Sequence, residues 1–441
     1  MRFSLARPTY HLATWRRGGT SKASNVPPAT PLTLLPAVLR VPTYQRYAAS
    51  RAASGTASTM LQAVVAWQVY ALTGSALDLG LIGLVRFAPN LALSLVSGAV
   101  VDAYDRRAVL TAAQAVPLLG TMLMLTGLAT HNVSIGSVYA FVFALGVAAA
   151  FENPARQVLL PATVPRSLFS RAIVVNSTLQ SFASVTGPAL GGVLIAWQGI
   201  PFAYAVHAAL MLVAIAALLR LNIPPAKGKG RAGVHLGAIR EGLVFVWSRP
   251  VMLGAMTLDM FAVIFGGAKA LLPIYAVDIL HSDASGYGVL SASLEVGALL
   301  MAVALVALPM PSNTGRTLLA SVAAFGVATV LFGASTSLAL SVLAYAAVGA
   351  ADQVSMVMRQ NAIQLATPDE LRGRVTAVNS VFVNASNQLG AVESGIVAAA
   401  TNAVFAVVSG GLACIGVVTY IAWRLPELRR YRTSPVPLGE G

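Results

Sequence analysis

Charge is scarce in this chain. Of its 441 residues only 10% are Asp, Glu, Lys or Arg, while 57% are hydrophobic. A soluble domain carries about a quarter charged residues. So little charge cannot cover a water-facing surface, which excludes a soluble globular protein and predicts an integral membrane one. Cysteine is rarer still. Cys414 stands alone in an apolar run, which excludes an intrachain disulfide and a cysteine-based metal site. The histidines, His11, His131, His207, His235 and His281, are scattered without ligand spacing, so no metal is expected. No Gly-x-x-x-x-Gly-Lys-Ser/Thr stretch occurs, so the phosphate cradle of an ATP-driven machine is missing and no cofactor is expected. Acids are the scarcer charge: 15 against 29 Lys and Arg, a net charge of +14.

What is present is long apolar runs, with a mean hydropathy of +0.75. A bilayer-crossing helix needs about 20 mostly apolar residues. Such windows fall at 47–70, 78–101, 108–128, 135–155, 172–196 and 202–220, then at 251–275, 286–308, 317–334, 338–358, 375–399 and 403–423. They predict an all-α membrane protein of about twelve transmembrane helices. The alternate connections 71–77, 129–134, 197–201, 276–285, 334–337 and 400–402 contain no Lys or Arg. Apart from Arg86 and Lys269, the basic residues lie on or next to the other side. That asymmetry is the positive-inside pattern, and it predicts cytoplasmic termini. It also accounts for the net charge, so no nucleic-acid partner is expected.

The chain repeats itself. "ARQVLLPATVPRSLFSRAIVVNS" (155–177) and "MRQNAIQLATPDELRGRVTAVNS" (358–380) match at an offset of 203 residues. Arg156 meets Arg359, Pro165 meets Pro368, Arg171 meets Arg374, Gly187 meets Gly390 and Gly192 meets Gly395. Apolar helices align by chance at Ala and Leu, not at Arg, Gln, Pro and Asn in register. The expected organisation is two pseudo-symmetric six-helix bundles, 46–220 and 251–424. A basic disordered tail (1–45), a cytoplasmic central loop (221–250) and a C-terminal tail (425–441) complete it. Parallel repeats of this kind place a substrate path at their interface near the bilayer midplane.

Several stretches resemble the major facilitator superfamily. "GAVVDAYDRR" is similar, slightly shifted, to the family's signature between its second and third helices, with Asp102, Asp105, Arg106 and Arg107. "GPALGG", with Gly187, Pro188, Gly191 and Gly192, is similar to the core of the antiporter motif of exporting members, although the upstream glycines are replaced by Ala183 and Val174. "WQVYALTGSALDLGLIGL", "FENPARQVLLPATVP", "LDMFAVIFGGAKALLP" and "TPDELRGRVTAVNSVFVNASNQLGAVESG" resemble the enterobactin-exporter-like bacterial efflux permeases. The resemblance implies a monomeric, non-enzymatic secondary transporter in the bacterial plasma (inner) membrane. It would move a small amphipathic molecule, a drug or siderophore, outward against protons by alternating access. An uptake permease of the same fold, or a non-transporting scaffold or sensor, is the alternative.

Charge inside a bilayer is costly unless paired or hydrated, so each intramembrane charge is a candidate. Asp259 lies about eight residues into its window, roughly 12 Å deep. The superfamily fold lines its cavity with helices 1, 4, 7 and 10, which favours Asp259 and Asp352 as proton-titrating or substrate-contacting acids. The plainer alternative for each is a structural ion pair. Glu295 and Arg86 are candidates for a pair joining the halves, and Lys269 is read as a residue that snorkels to the interface, with capture of an acidic substrate as the alternative. Gln68 and Asn384 are candidates to face the cavity. Asp102, Asp105, Arg106, Arg107, Arg156, Arg171, Arg359 and Arg374 are expected to form the cytoplasmic gate.

Overall fold

The computed structural model describes residues 35–223, 236–247, 249–308, 311 and 313–431. Most of the expected N-terminal tail, part of the central loop and the last ten residues lie outside them. Among the described residues the regular structure is helical throughout, with no strand.

Twelve long helices follow in order. The first half holds α1 (Pro42–Thr73), α2 (Ala76–Ala103), α3 (Arg106–Ala129) and α4 (Ile135–Leu159). Next comes one unbroken run, Phe169–Leu219. Its 51 residues would reach about 77 Å if straight, more than twice the hydrocarbon core. Gly199 turns it with φ 81° and ψ 176°, a conformation that only glycine takes without strain. The run is therefore two helices, α5 (169–198) and α6 (200–219), and the loop expected at 197–201 is this single residue. The second half holds α7 (Pro250–Phe265, continued to Ile279 after a break), α8 (Ala284–Ala307), α9 (Thr314–Ala334), α10 (Leu338–Ala366), α11 (Asp369–Ala400) and α12 (Ala403–Arg424).

Nine helical segments among the described residues are long and apolar enough to cross a membrane, the α5–α6 run counting once. The helices outside that set are α1 and α11. Each has 32 residues, about 48 Å, so length is no obstacle. Both are diluted by polar residues, among them Arg51, Gln62 and Gln68 on α1 and Asn384, Asn387 and Gln388 on α11.

Short caps hold the turns opposite the chain termini. Ser75 accepts from the Asp78 amide and Ser134 forms a reciprocal box with Ser137. Asn402 accepts from the Phe405 amide at 2.8 Å. Such caps are worth about 1 kcal/mol each. Asp283 caps α8, and the Ser285 hydroxyl with the Gly286 amide holds its carboxyl below the usual range.

Packing within one half repeats in the other. Helix α2 lies on α4 as α8 lies on α10, α3 on α4 as α9 on α10, and α1 on α5 and α6 as α7 on α11 and α12. The halves meet through α5 with α8 and through α11 with α2. Both crossings are made of glycine. A Cβ on Gly192 would stand 2.5 Å from the Gly288 Cα. A Cβ on Gly395 would stand 3.0 Å from the Gly80 Cα. Small residues let backbones approach this closely. Gly187, Gly191 and Gly390 act within a half instead: Gly187 and Gly191 seat α5 on α1 at Met60, and Gly390 seats α11 on α7 at Ile264. Tyr70 hydrogen-bonds Asp278, and the Tyr287 hydroxyl donates to the Ala63 carbonyl at 3.2 Å, both across the halves. All these cross-contacts lie in the portion of the helices away from the chain termini. Nearer the termini, Gly98 on α2 and Gly373 on α11 have open space where a Cβ would go.

Residues 35–45, expected within the disordered tail, instead hold a short helix, Leu35–Leu39, and the start of α1, with Val38 and Tyr44 buried. Two expectations for the connections change as well. The central loop contains a helix, Leu236–Trp247, whose Val246 is buried with Met252, Met256, Ile363, Val375 and Val378. Its apolar side docks it. The C-terminal tail begins with a helix, Pro426–Arg430; Leu428 is buried, and the Tyr431 carbonyl accepts from the Gly315 amide at 3.0 Å.

If the glycine crossing closes the end away from the termini, Gly192→Ala, an overlap costing about 1–3 kcal/mol, opens it. In a Cys414→Ala background, labelling of Ser291→Cys by an impermeant maleimide added from that side is expected to rise. Unchanged labelling contradicts the closure.

Candidate functional site

Between the halves lies a cavity of about 450 Å³. The first half contributes Thr59 and Gln62 from α1, Arg86 from α2 and Pro188 from α5. The second contributes Lys269 from α7, Tyr287 and Glu295 from α8, Asp352 from α10 and Asn384 and Gln388 from α11. Its size is typical of a small-molecule site.

The break in α7 explains Lys269. The helix stops at Gly266, and a 3-10 turn, Ala268–Leu271, carries the lysine to the cavity. It does not snorkel to the interface. Its Nζ stands 3.5 Å from Glu295 Oε1, with the lysine 69% and the glutamate 28% exposed. Glu295 therefore pairs with Lys269, not with Arg86. Arg86 lines the same cavity, and among the described residues no carboxylate lies within 4 Å of it. Asp352 is open to the cavity, within electrostatic reach of both Glu295 and Lys269, and among the described residues it has no ion pair. Two carboxylates thus share one lysine.

Asp259 is elsewhere. It is ion-paired to Arg359, and the two side chains are only 8% and 5% exposed. A void of about 10 Å³ lies beside it, shared with Asp352 and Ser355; that is roughly the space of one water. Gln68 does not face the cavity either. It is buried and accepts from the Tyr204 hydroxyl. Asn384 does face it, its amide donating to the Ser380 carbonyl one turn back at 2.8 Å.

The arginines expected to form one gate divide. Arg156 is buried on α4, ion-paired to Glu152 at 2.5 Å and donating to Ser54 at 2.6 Å. Arg359, its repeat partner, is buried with Asp259, so both lock helices within a half. Arg374 pairs with Glu241 on the helix Leu236–Trp247. Asp105 caps α3 through the Arg107 amide, and Arg107 donates to the Leu221 carbonyl at 2.5 Å. Asp102 and Arg106 are part-exposed beside them, and Arg171 opens α5. Glu152 went unnoticed in the sequence, although its i,i+4 spacing to Arg156 is a helical pairing signal.

A family described as "Transmembrane secretion effector" matches residues 36–436. The chain is 28% identical to the multidrug efflux pump Tap of Mycolicibacterium fortuitum over 399 residues, covering 87% of this chain and 95% of Tap. It is 27% identical to the enterobactin exporter EntS of Citrobacter koseri over 380 residues, covering 85% and 87%. In fold it is similar to an inward-facing, unoccupied bacterial homologue of the human lysosomal transporter Spinster, with a TM-score of 0.67 at 14% identity, covering 89% and 98%. It is likewise similar to the nucleoside transporter NupG, with a TM-score of 0.66 at 12% identity, covering 88% and 99%.

Breaking a buried ion pair from one side leaves the other charge stranded, at about 3–5 kcal/mol. Asp259→Asn is therefore expected to lower the thermal unfolding temperature of the purified protein sharply. Adding Arg359→Gln is expected to recover most of that loss. A double variant no more stable than Asp259→Asn contradicts the structural role.

Proposed function

We propose an export function for this chain, which belongs to the transmembrane secretion effector family of the major facilitator superfamily. A small amphipathic molecule enters the central cavity from the cytoplasm and leaves on the other side by alternating access, driven by protons. The observation that carries this reading is a charged cavity between two like halves, which touch at one end through two repeat-related glycine crossings. The positive-inside distribution supports an open end that is cytoplasmic, with both termini on that side. Efflux by Tap and export by EntS favour the outward direction.

The second half supports a proton role. With Glu295 in contact with Lys269, Asp352 is, among the described residues, the cavity carboxylate without an ion pair of its own. A dry closed state favours its neutral form, because an unpaired charge away from water costs several kcal/mol. Opening to water favours the ionised form. Asp352 therefore takes up and releases a proton as access changes, and the neighbouring void offers a short path towards the Asp259–Arg359 pair. Asp102, Asp105, Arg106 and Arg107 stand at the open end and approach the other half when that end closes. The unit that works is one chain, since the cavity is completed by its own two halves.

Expression in an efflux-deficient bacterial host tests this. Accumulation of at least one dye or drug from a broad panel is expected to fall, and Asp352→Asn is expected to cut its efflux at least about tenfold. Everted vesicles should accumulate the same compound. A panel indistinguishable from empty vector, or faster flux in the opposite direction, contradicts export.

A further inference from the structure

Three arginines in the first half converge on one carboxylate. Glu152 on α4 is ion-paired to Arg156, and the two are 17% and 6% exposed. Arg51 on α1 and Arg86 on α2 lie within electrostatic reach of the same Glu152. Gln114 on α3 makes a long contact to it, 3.5 Å. The first half therefore sets three cations against one anion. Across the cavity the balance reverses, with Lys269 and Arg359 against Asp259, Glu295 and Asp352.

The excess is not absorbed by the surrounding side chains. Arg51 is held by the Gln180 amide oxygen, a neutral partner. Arg156 spends Nε and Nη2 on Glu152 and Ser54, and its Nη1 is buried without a hydrogen bond, although Tyr47 stands beside it. Arg86 opens onto the cavity with no carboxylate within 4 Å among the described residues. An uncompensated guanidinium at this depth is tolerated while water reaches it, and costs several kcal/mol once water is shut out. A carboxylate or similar acid group is the chemical complement, because guanidinium binds it with short, charge-assisted, bidentate hydrogen bonds. Beyond Arg86 the same cavity is lined by Ile82, Val263, Leu272 and Phe325, which suit an apolar body.

We propose that the cavity takes an amphipathic organic anion whose acid group docks at Arg86, with Arg51 and Arg156 behind it supplying the remaining positive field. This deepens the export reading and rests on it for what becomes of the ligand. The binding step itself does not require transport. The anion lowers the cost of closing the first-half wall away from water, so the loaded form closes more readily than the empty one. The site is an assignment of ligand class, an acid on an apolar body, and leaves the proton site on the opposite wall.

The test is equilibrium binding to the purified full chain in nanodiscs, with three probes that share one aromatic body: pyrenebutyrate, pyrenebutanol and pyrenebutylamine. Pyrenebutyrate is expected to bind at least about tenfold more tightly than pyrenebutanol. In Arg86→Gln that ratio is expected to fall towards one, and in Arg86→Lys to recover in part. If Arg86→Gln does not fold, Arg51→Gln carries the same test with a smaller fall. Excess inorganic phosphate is expected to leave most pyrenebutyrate bound. The proposal is overturned if the alcohol or the amine binds as tightly as the acid. It is also overturned if the ratio survives in the folded arginine variants, or if phosphate displaces the probe completely, which would mark a bare inorganic-anion site. Acid selectivity without cellular efflux would contradict export and leave this site standing; efflux without acid selectivity would do the reverse.

Discussion

A charge inside a bilayer must be paired or reach water, and this requirement organises the interior of the molecule. Arg156 and Arg359 occupy equivalent places in the two halves, and both are buried. Each has an acid, but from a different place. In the first half it is Glu152, one turn back on the same helix. In the second half the matching position is Ser355, and the acid is Asp259, supplied by α7. The counterpart of Asp259 in the first half is Thr56. The arginine stayed and its counter-charge moved. The halves therefore share a frame and differ in the charge each turns to the cavity.

That difference gives the cavity its chemistry. The first-half wall carries more cation than anion, and the second-half wall the reverse. The Lys269–Glu295 contact is long and exposed, so it contributes little to stability. It is a pair that a ligand or a proton can rearrange. The Asp259–Arg359 pair is the opposite: buried, close and structural. One class of residue, an intramembrane charge, thus does two jobs, and burial separates them.

The large-scale fold was legible in the sequence. Long apolar runs located the helices, and the sidedness of Lys and Arg put them in order. Matched Arg, Pro and Gly residues exposed the duplication, because polar residues rarely recur in register by chance. The glycines of the repeat proved to have two roles, Gly187 and Gly390 packing within a half and Gly192 and Gly395 packing between halves. Side-chain direction was far less legible. A hydropathy window gives the depth of a residue but not which way it faces. Asp259 and Asp352 are both expected as cavity acids, yet one is locked in an ion pair and the other is open. Gln68 looked like a cavity residue and is spent on Tyr204. Lys269 looked like an interface residue until the break at Gly266 turned it inward. The helix Leu236–Trp247 was hidden by its length, too short to cross a membrane and easily read as loop.

The central proposal is that one cavity exchanges a proton for an exported molecule through Asp352, which has no ion pair among the described residues. The most direct measurement is proton flux in proteoliposomes of the full chain, read with a pH-sensitive dye while a transported compound moves. The account predicts that compound movement drives opposing proton movement, and that Asp352→Asn abolishes the proton signal. Compound flux that proceeds at the same rate with no proton movement, in wild type and variant alike, would contradict it.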